Sequence, residues 1–245
     1  FQKIIDINQT AQLPIHIHLH ETAHEINESM QQYGKRPMAR LNDLGLLSSK
    51  LIAVHMTQMN EVDIEMAKAT RLHIVHCPES NLKLASGFAP MSTLLKAGQN
   101  VALGTDGAAS NNDLNMFGEM QTAALLAKAE SQDPTSIPAT QALEMATING
   151  AKALGLDKEI GSLEPGKYAD MIAIDLSPYY SQPIYQAISH LVYAVHALQV
   201  SDVWVDGKQL LKNGQLTQLN TQDLLDAAKP WIEKIKPYQP KSTAS

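Results

Sequence analysis

The sequence predicts an α/β fold made of parallel βα units, followed by a small antiparallel β domain. From residue 13 to about residue 147, short apolar runs alternate with helical stretches, which is the pattern of βα units. Four strands can be placed, near residues 15, 53, 74 and 102. Since a (β/α)8 barrel has eight parallel strands, these four predict half of a barrel.

Helix start and stop signals define the helices between these strands. Pro37 and Pro90 are placed as first residues of helices, Asn60 is a plausible N-cap, and Gly34 and Gly45 mark helix ends. Apolar residues near the N-terminus have the spacing of an amphipathic helix. The predicted helices cover residues 1–10, 23–33, 37–45, 60–70, 90–98, 112–129 and 138–147.

The pattern changes after residue 155. Pro165-Gly166 and Asp206-Gly207 are turn signals between short β-like runs at residues 171–175, 203–205 and 209–211. An amphipathic helix is predicted over residues 222–236, followed by a frayed tail. We therefore divide the chain into a barrel portion, a β domain and a C-terminal helix with its tail, over residues 1–155, 156–221 and 222–245.

Composition excludes several classes of protein. The 245 residues are 44% hydrophobic, enough for a buried core, and the formal net charge of −6 argues against nucleic-acid binding. The sequence has no block of Lys and Arg residues of the kind that binds an anionic membrane surface. No apolar run reaches the length that spans a bilayer. Cys77 is the one cysteine, which excludes an intrachain disulfide and favours a reducing cytoplasm. The chain begins with Phe1 and has no signal pattern, so we expect a segment upstream.

Histidine and acidic residues recur where the predicted strands end. His16, His18 and His20 alternate, so they are expected on one face of the first strand, and Glu21 follows where that strand gives way to a loop. The second strand ends at His55, and Asp106 follows the fourth. In a parallel barrel this edge carries the chemistry, and such groups suit a metal or a proton shuttle.

Each of these residues also has a purely structural interpretation. His18 could be a hydrogen-bonded core histidine, Glu21 an acid stabilised by a helix N-terminus, and His55 a strand-end residue bound to backbone. Their recurrence at one edge favours a functional site. For His16 and His20 a structural or supporting role is favoured over a role as ligand. For His76, at the end of the third strand, a structural role and a role in lining the pocket are equally supported.

Several segments together resemble the amidohydrolase superfamily, in the branch of 5-methylthioadenosine/S-adenosylhomocysteine deaminases and related triazine hydrolases. The resemblance spans nearly the whole chain in the right order. It is specific for the superfamily, less so for the branch, and weakly for the substrate. The segments are residues 18–22 (HLHET), 53–55 (AVH), 76–84 (HCPESNLKL), 103–112 (LGTDGAASNN), 146–154 (ATINGAKAL) and 161–170 (GSLEPGKYAD).

The resemblance implies hydrolytic deamination of an adenine nucleoside with release of ammonia. It implies one divalent metal ion, zinc first and iron or manganese as alternatives, with His18 and Asp106 as ligands. Glu21 would carry a proton to the substrate ring, His55 would orient the attacking hydroxide, and Asp106 would accept the first proton of the water. Glu21, His55 and His76 would contact the purine nucleoside.

Two other functions stay open at this point. One is a chlorohydrolase or other aminohydrolase acting on an s-triazine or a guanine-like ring. The other is a non-catalytic fragment or interaction module. The presence of all four predicted site residues argues against it; they are His18, Glu21, His55 and Asp106. The sequence leaves formation of a homo-oligomer open.

The family also uses a His-x-His pair at the end of the first barrel strand. His16-Ile-His18 has this pattern, but taking it as the pair would make the strand at residue 15 the first barrel strand, with only three more to follow. Glu21 and the downstream spacing fit the fifth strand better. We therefore expect strands five to eight of the barrel, part of a β-sandwich and a C-terminal helix. The N-terminal half of the same enzyme would supply the His-x-His ligands as a partner.

Overall fold

The computed structural model describes residues 1–238, which form two compact units. The first unit contains residues 1–167 and 176–197, and the second contains residues 168–175 and the chain from residue 198. The part of the predicted frayed tail beyond residue 238 lies outside the described residues.

A four-stranded parallel sheet forms the centre of the first unit. Its strands lie side by side in chain order and are β1 (Ile15–Leu19), β2 (Leu51–His55), β3 (His73–His76) and β4 (Val101–Leu103). Every residue of β2 is buried, as expected for an apolar strand covered on both faces. All four predicted strands are present, and their parallel order brings their carboxyl ends to one edge.

Ten helices of the first unit surround this sheet. Four of them, the sixth to the ninth in chain order, all contact β4, so the short fourth strand is well covered. The helices are α1 (Gln2–Ala11), α2 (Ala23–Tyr33), α3 (Pro37–Asp43), α4 (Glu61–Thr70), α5 (Pro78–Lys83), α6 (Met91–Lys96), α7 (Met116–Ser131), α8 (Ala139–Ala146), α9 (Ile148–Leu154) and α10 (Ala187–Tyr193).

The core lies between the sheet and its helices. Leu51 and Ile74 from the strands, with Leu94 and Met145 from the helices, are essentially inaccessible to solvent. Burying a side chain of this size contributes about 1.5–3 kcal/mol. This packing holds the strands in register and so fixes the positions of the residues at their carboxyl ends.

Three helices of the first unit were not predicted from the sequence. No helix was predicted directly after β3, yet Pro78 begins α5, where the missing N–H of proline costs nothing because the first helical N–H groups have no partner within the helix. The Asn149-Gly150 pair is typical of a turn, but it lies inside α9, where Asn149 Nδ2 donates to the Val101 carbonyl at 3.0 Å. Helix α10 lies in a region expected to be β-rich.

The second unit contains an antiparallel sheet. Its strands β5 (Met171–Ile174), β6 (Val200–Val205), β7 (Lys208–Lys212) and β8 (Gln215–Leu216) pair in chain order. Two-residue turns join the last three strands, at Asp206-Gly207 (φ 50° and 71°) and Asn213-Gly214 (φ 48° and 73°). Positive φ at both turn residues matches the twist of a hairpin, which explains the choice of Asp-Gly and Asn-Gly.

Helix α11 (Thr221–Ile235) follows this sheet and agrees with the predicted C-terminal helix. Asn220 caps its N-terminus by accepting from the backbone N–H groups of Gln222 and Asp223. Its apolar side chains, including Trp231 and Ile232, are exposed. Within residues 1–238, no helix has both the length and the apolar character that crossing a bilayer would require.

A buried ion pair links α3 to α4. Asp63, in the first turn of α4, has a side chain that is 1% exposed. Its Oδ2 accepts from Arg36 Nε at 2.9 Å, from Arg36 Nη2 at 2.7 Å and from the Asn60 N–H at 3.0 Å. Arg36 also donates to the Gln58 carbonyl. These bonds tie the start of α3 to the segment that follows β2.

We expect Asp63→Ala to lower the free energy of unfolding by about 3 kcal/mol, because it leaves a partly buried guanidinium without its partner. Asn60→Ala removes only the helix cap and should cost about 1 kcal/mol. Urea denaturation of the two variants measures the difference. Equal losses would contradict a major role for the ion pair.

Candidate metal centre

Three side chains with metal-binding atoms converge at the carboxyl edge of the parallel sheet. His18 lies in β1, His55 is the last residue of β2, and Asp106 follows β4 by three residues. One donor atom of each lies within 4.8 Å of the donor atoms of the other two. The ring centroids of His18 and His55 are 5.2 Å apart. The structure thus brings together the three residues that the sequence placed at this edge.

The backbone at two of these residues has an uncommon conformation. The φ angles are 75° at His55 and 62° at Asp106, in the left-handed region that non-glycine residues rarely occupy. Such conformations cost of the order of 1–3 kcal/mol each and persist where surrounding contacts enforce them. Their presence at both strand ends is typical of a functional site.

A buried amide orients the His55 ring. His55 is 1% exposed, and its Nδ1 lies 2.8 Å from Oδ1 of Asn81, which is itself buried. Because an amide oxygen only accepts, Nδ1 carries a proton, and in the neutral ring Nε2 therefore keeps its lone pair. That Nε2 lies 3.7 Å from Oε2 of Glu21. The free nitrogen is the one that faces the other polar groups of the site.

Two hydroxyl groups hold Asp106. Ser80 Oγ and Ser110 Oγ each donate to Asp106 Oδ2 at 2.7 Å. Burial acts to raise the pKa of Asp106, but the hydrogen bonds from Ser110, Ser80 and the Gly107 backbone outweigh it, and the pKa lies below its ordinary value. Asp106 is therefore an anion at neutral pH, as a metal-binding carboxylate must be.

Glu21 occupies a tightly bound loop between β1 and α2. Its backbone N–H donates to Glu25 Oε2 at 2.7 Å, and its carbonyl accepts from Thr57 Oγ1 at 2.6 Å. The side chain is 27% exposed and keeps Oε2 beside His55. The backbone is thus fixed while the carboxylate stays accessible to a ligand.

His20 is directed away from the site, so the expected shared face holds only for His16 and His18. His20 has a φ of 53°, beyond the end of β1, and is fully buried. Its Nε2 accepts from the Met38 N–H at 3.1 Å, and Nδ1 lies 3.5 Å from Asp63. Burial lowers its pKa to about 4 despite the Asp63 charge. His20 is therefore a neutral, structural residue.

Two other histidines lie close to the centre. His16 is exposed, and its ring centroid is 6.3 Å from that of His18. His76 is buried, and burial together with the nearby His55 lowers its pKa to about 3. His76 is neutral at any working pH, and its contact with a substrate stays a prediction.

The sequence identified the central residues but not the ones that orient them. Ser80, Asn81 and Ser110 were not among the predicted site residues, yet their side chains bind His55 and Asp106. Their position just after strands β3 and β4 was the available signal. The choice of partner depends on tertiary structure and is not visible in the sequence.

Comparison with known proteins places these residues in a well-defined family. The sequence profile described as Amidohydrolase family matches residues 2–210. A 5-methylthioadenosine/S-adenosylhomocysteine deaminase of Teredinibacter turnerae is 52% identical over 221 residues, which are 90% of this chain and 50% of that protein. One of Saccharophagus degradans is 50% identical over 235 residues, or 96% and 53% of the two chains. The chain spans about half the length of these relatives.

Solved structures give a similar result. An adenosine deaminase from Xanthomonas campestris with bound zinc superposes with a TM-score of 0.94 at 47% identity, covering 96% of this chain and 54% of that one. An atrazine chlorohydrolase from Arthrobacter aurescens complexed with zinc has a TM-score of 0.87 at 25% identity, covering 93% and 50%.

In the complete polypeptide that contains this chain, we expect Asn81→Ala to lower turnover by about 10–100-fold, because the His55 ring loses the partner that fixes its tautomer and orientation. Asn81→Asp keeps an acceptor at this position and should lose much less. Steady-state kinetics measures the turnover, and ¹H–¹⁵N spectra of the imidazole report the tautomer. An unchanged tautomer in Asn81→Ala would contradict this account.

Proposed function

The chain belongs to the amidohydrolase family, and we propose that it is part of a metal-dependent hydrolase that deaminates an adenine nucleoside and releases ammonia. The observation that carries the proposal is the convergence of His18, His55 and Asp106 at one edge of the sheet. Glu21 lies beside them with an accessible carboxylate. These are the residue types that hydrolytic deamination needs: ligands for a metal ion and a positioned acid–base.

We assign one divalent ion to this centre, zinc in the first place, with iron or manganese as alternatives. Imidazole nitrogen and carboxylate oxygen are donors that Zn²⁺ takes in catalytic sites, and the observed donor set fits it. His18 and Asp106 would hold the ion. When bound, it supplies the Lewis acidity that makes water nucleophilic near neutral pH.

The remaining steps are proton transfers assigned to the chain's own side chains. Asp106, an anion at neutral pH, accepts the first proton of the attacking water. Nε2 of His55, with its lone pair free, orients that water against the substrate carbon. Glu21, with Oε2 3.7 Å from His55 Nε2, carries the second proton of the water to the ring nitrogen of the substrate. The bond between the carbon and the amino group then breaks, and ammonia leaves with the proton that Asp106 had accepted.

For the substrate, we propose a nucleoside of the 5-methylthioadenosine or S-adenosylhomocysteine type. Relatives with 50–52% identity bear the name of a deaminase of these two compounds. The alternative, a chlorohydrolase or aminohydrolase of an s-triazine or guanine-like ring, has support from the atrazine chlorohydrolase at 25% identity. The higher identity favours the nucleoside. A non-catalytic module is the least supported, since the polar residues are intact.

We further propose that β1 to β4 are strands five to eight of a (β/α)8 barrel, and that the antiparallel sheet is part of a β-sandwich. Within residues 1–238, β1 and β4 are the outer strands of an open sheet, and the chain matches about half of its relatives. The N-terminal half would supply the other strands and the His-x-His ligands. The division into residues 1–155, 156–221 and 222–245 belongs to this proposal.

In the complete polypeptide that contains this chain, Glu21→Gln should lower kcat by ~10²–10⁴-fold, since the amide keeps the shape but cannot carry a proton. Metal content, measured by elemental analysis, should stay near that of the unchanged protein. A variant that loses its metal but keeps its turnover per metal ion would make Glu21 a ligand instead.

We expect residues 1–245 to occur together with the polypeptide that completes the barrel, because open parallel edges and uncovered apolar surface drive association. Intact-mass measurement and a denaturing gel of active material should show a longer chain or a second fragment. A stable, metal-free, monomeric species of 26.8 kDa would refute the proposal and favour a non-catalytic module.

A further inference from the structure

A second polar cluster lies buried beside the candidate metal centre. The buried carboxyl cluster consists of Glu79 in α5, Asn111 in the loop after β4, and Glu119 in α7. Glu119 is 0% and Asn111 3% exposed. The Asn111 side-chain amide donates to Oε1 of Glu119 and, at 3.4 Å, to Oε2 of Glu79. Among residues 1–238, no lysine or arginine forms an ion pair with either carboxyl group.

Further hydrogen bonds make the cluster a junction of three segments. The backbone N–H of Glu79 donates to Oε2 of Glu119 at 3.3 Å, which joins α5 to α7. Thr122, one turn along α7, donates its hydroxyl to Oε1 of Glu79 at 3.0 Å. The Asn111 Oδ1 accepts from the Leu114 N–H at 3.2 Å, which closes the loop on itself. Two helices and one loop are therefore held by polar contacts that are buried or partly buried.

Both hydroxyls that bind Asp106 come from immediate sequence neighbours of this cluster. Ser80 follows Glu79, and Ser110 precedes Asn111. Each hydroxyl donates to the same oxygen of Asp106 at 2.7 Å. A shift of α5 or of the loop would therefore move a hydroxyl away from the carboxylate.

We propose that the buried carboxyl cluster positions the two seryl hydroxyls that bind Asp106. Its members are positioning residues, since they contact Asp106 only through Ser80 and Ser110. The inference rests on the proposed role of Asp106 as a metal ligand. Neither the family resemblance nor the sequence pattern assigns a role to Glu79 or Glu119.

The protonation of Glu119 is consistent with this role. Burial, with the charges of Glu79 and Asp113, raises its pKa to about 8, against hydrogen bonds from the Glu79 backbone and Asn111. The titratable groups that face Glu119 are Glu79 from α5, Asp113 from the loop and the Cys77 thiol before α5. Near neutral pH, Glu119 is mainly a neutral acid, so its burial beside the Glu79 side chain does not bury a charge on Glu119.

Gly118 provides a probe that separates positioning from stability. A Cβ built on Gly118, inside α7, would lie 2.8 Å from Glu79 Oε1, closer than such atoms approach. Alanine favours a helix over glycine, so Gly118→Ala strengthens the helix while displacing the Glu79 carboxylate. Gly150, inside α9, is the matched control, because a Cβ there meets nothing within 4 Å.

In the complete polypeptide, Gly118→Ala should lower Zn²⁺ affinity and turnover by about tenfold or more, the loss typical of residues that orient a metal ligand. Gly150→Ala should leave both unchanged. Chelator competition and steady-state kinetics measure these values, and thermal melting verifies folding. Equal Zn²⁺ affinity in the two variants would overturn the proposal.

A measurement on metal-free protein separates this inference from the proposed function. Gly118→Ala should raise amide hydrogen exchange in residues 107–115, whereas Gly150→Ala should leave it unchanged. If the unchanged protein binds no Zn²⁺ and deaminates no nucleoside, the proposed function fails, and the exchange data still decide whether the cluster holds the loop. Unaltered exchange in Gly118→Ala would refute the positioning role.

Glu119→Gln provides a second variant, with a permanently neutral group of the same shape. In the unchanged protein the folded state keeps the Glu119 proton from pH 4.5, the ordinary pKa, up to about 8. The stabilisation from this proton is complete below pH 4.5 and is lost as the pH rises towards 8.

Glu119→Gln should therefore show a smaller fall in melting temperature between pH 5 and 8 and retain Zn²⁺ affinity near pH 6. Glu119→Ala should lose that affinity. Equal affinities in the Gln and Ala variants would refute the role of the buried carboxyl.

Discussion

The parallel register of β1 to β4 is the constraint on which the rest of the site depends. It pairs His18 with Val54 and His76 with Leu103, so the four strands end at similar heights. Because β2 and β4 are buried along their whole length and every strand contributes side chains to the core, the strand ends cannot shift independently. A residue at the end of one strand therefore meets a residue from another strand that is distant in sequence.

The segments that follow the strands orient the side chains at the strand ends. His55 and Asp106 both adopt left-handed backbone conformations just where their strands end, which redirects their side chains. The side-chain contacts at these residues come from α5 and from the loop after β4: Asn81 on the His55 ring, and Ser80 and Ser110 on the Asp106 carboxylate. Backbone strain of this kind persists only when the surrounding contacts enforce it. The geometry of the site therefore depends on the packing of the segments around it.

The sequence predicted what depends on local pattern and missed what depends on tertiary contact. Strand β2 followed from an apolar run, and the convergence of His55 with Asp106 followed from parallel strands. The helix beginning at Pro78 was missed, since proline both breaks and begins helices. The partner of Asn81 lies 26 residues away, and Glu119 contacts Glu79 across 40 residues. No spacing rule connects such pairs.

Electrostatics makes the site selective for a cation. Three titratable groups packed behind it are neutral or mainly neutral at pH 7, because burial lowers the pKa of His76 to about 3, raises that of Cys77 to about 12 and raises that of Glu119 to about 8. The His20 ring, with a pKa of about 4, is neutral as well. Neither His20 nor His76 therefore offsets the negative charge of Asp106. That charge, held by two hydroxyl groups at the edge of the sheet, favours binding of a positive ion there.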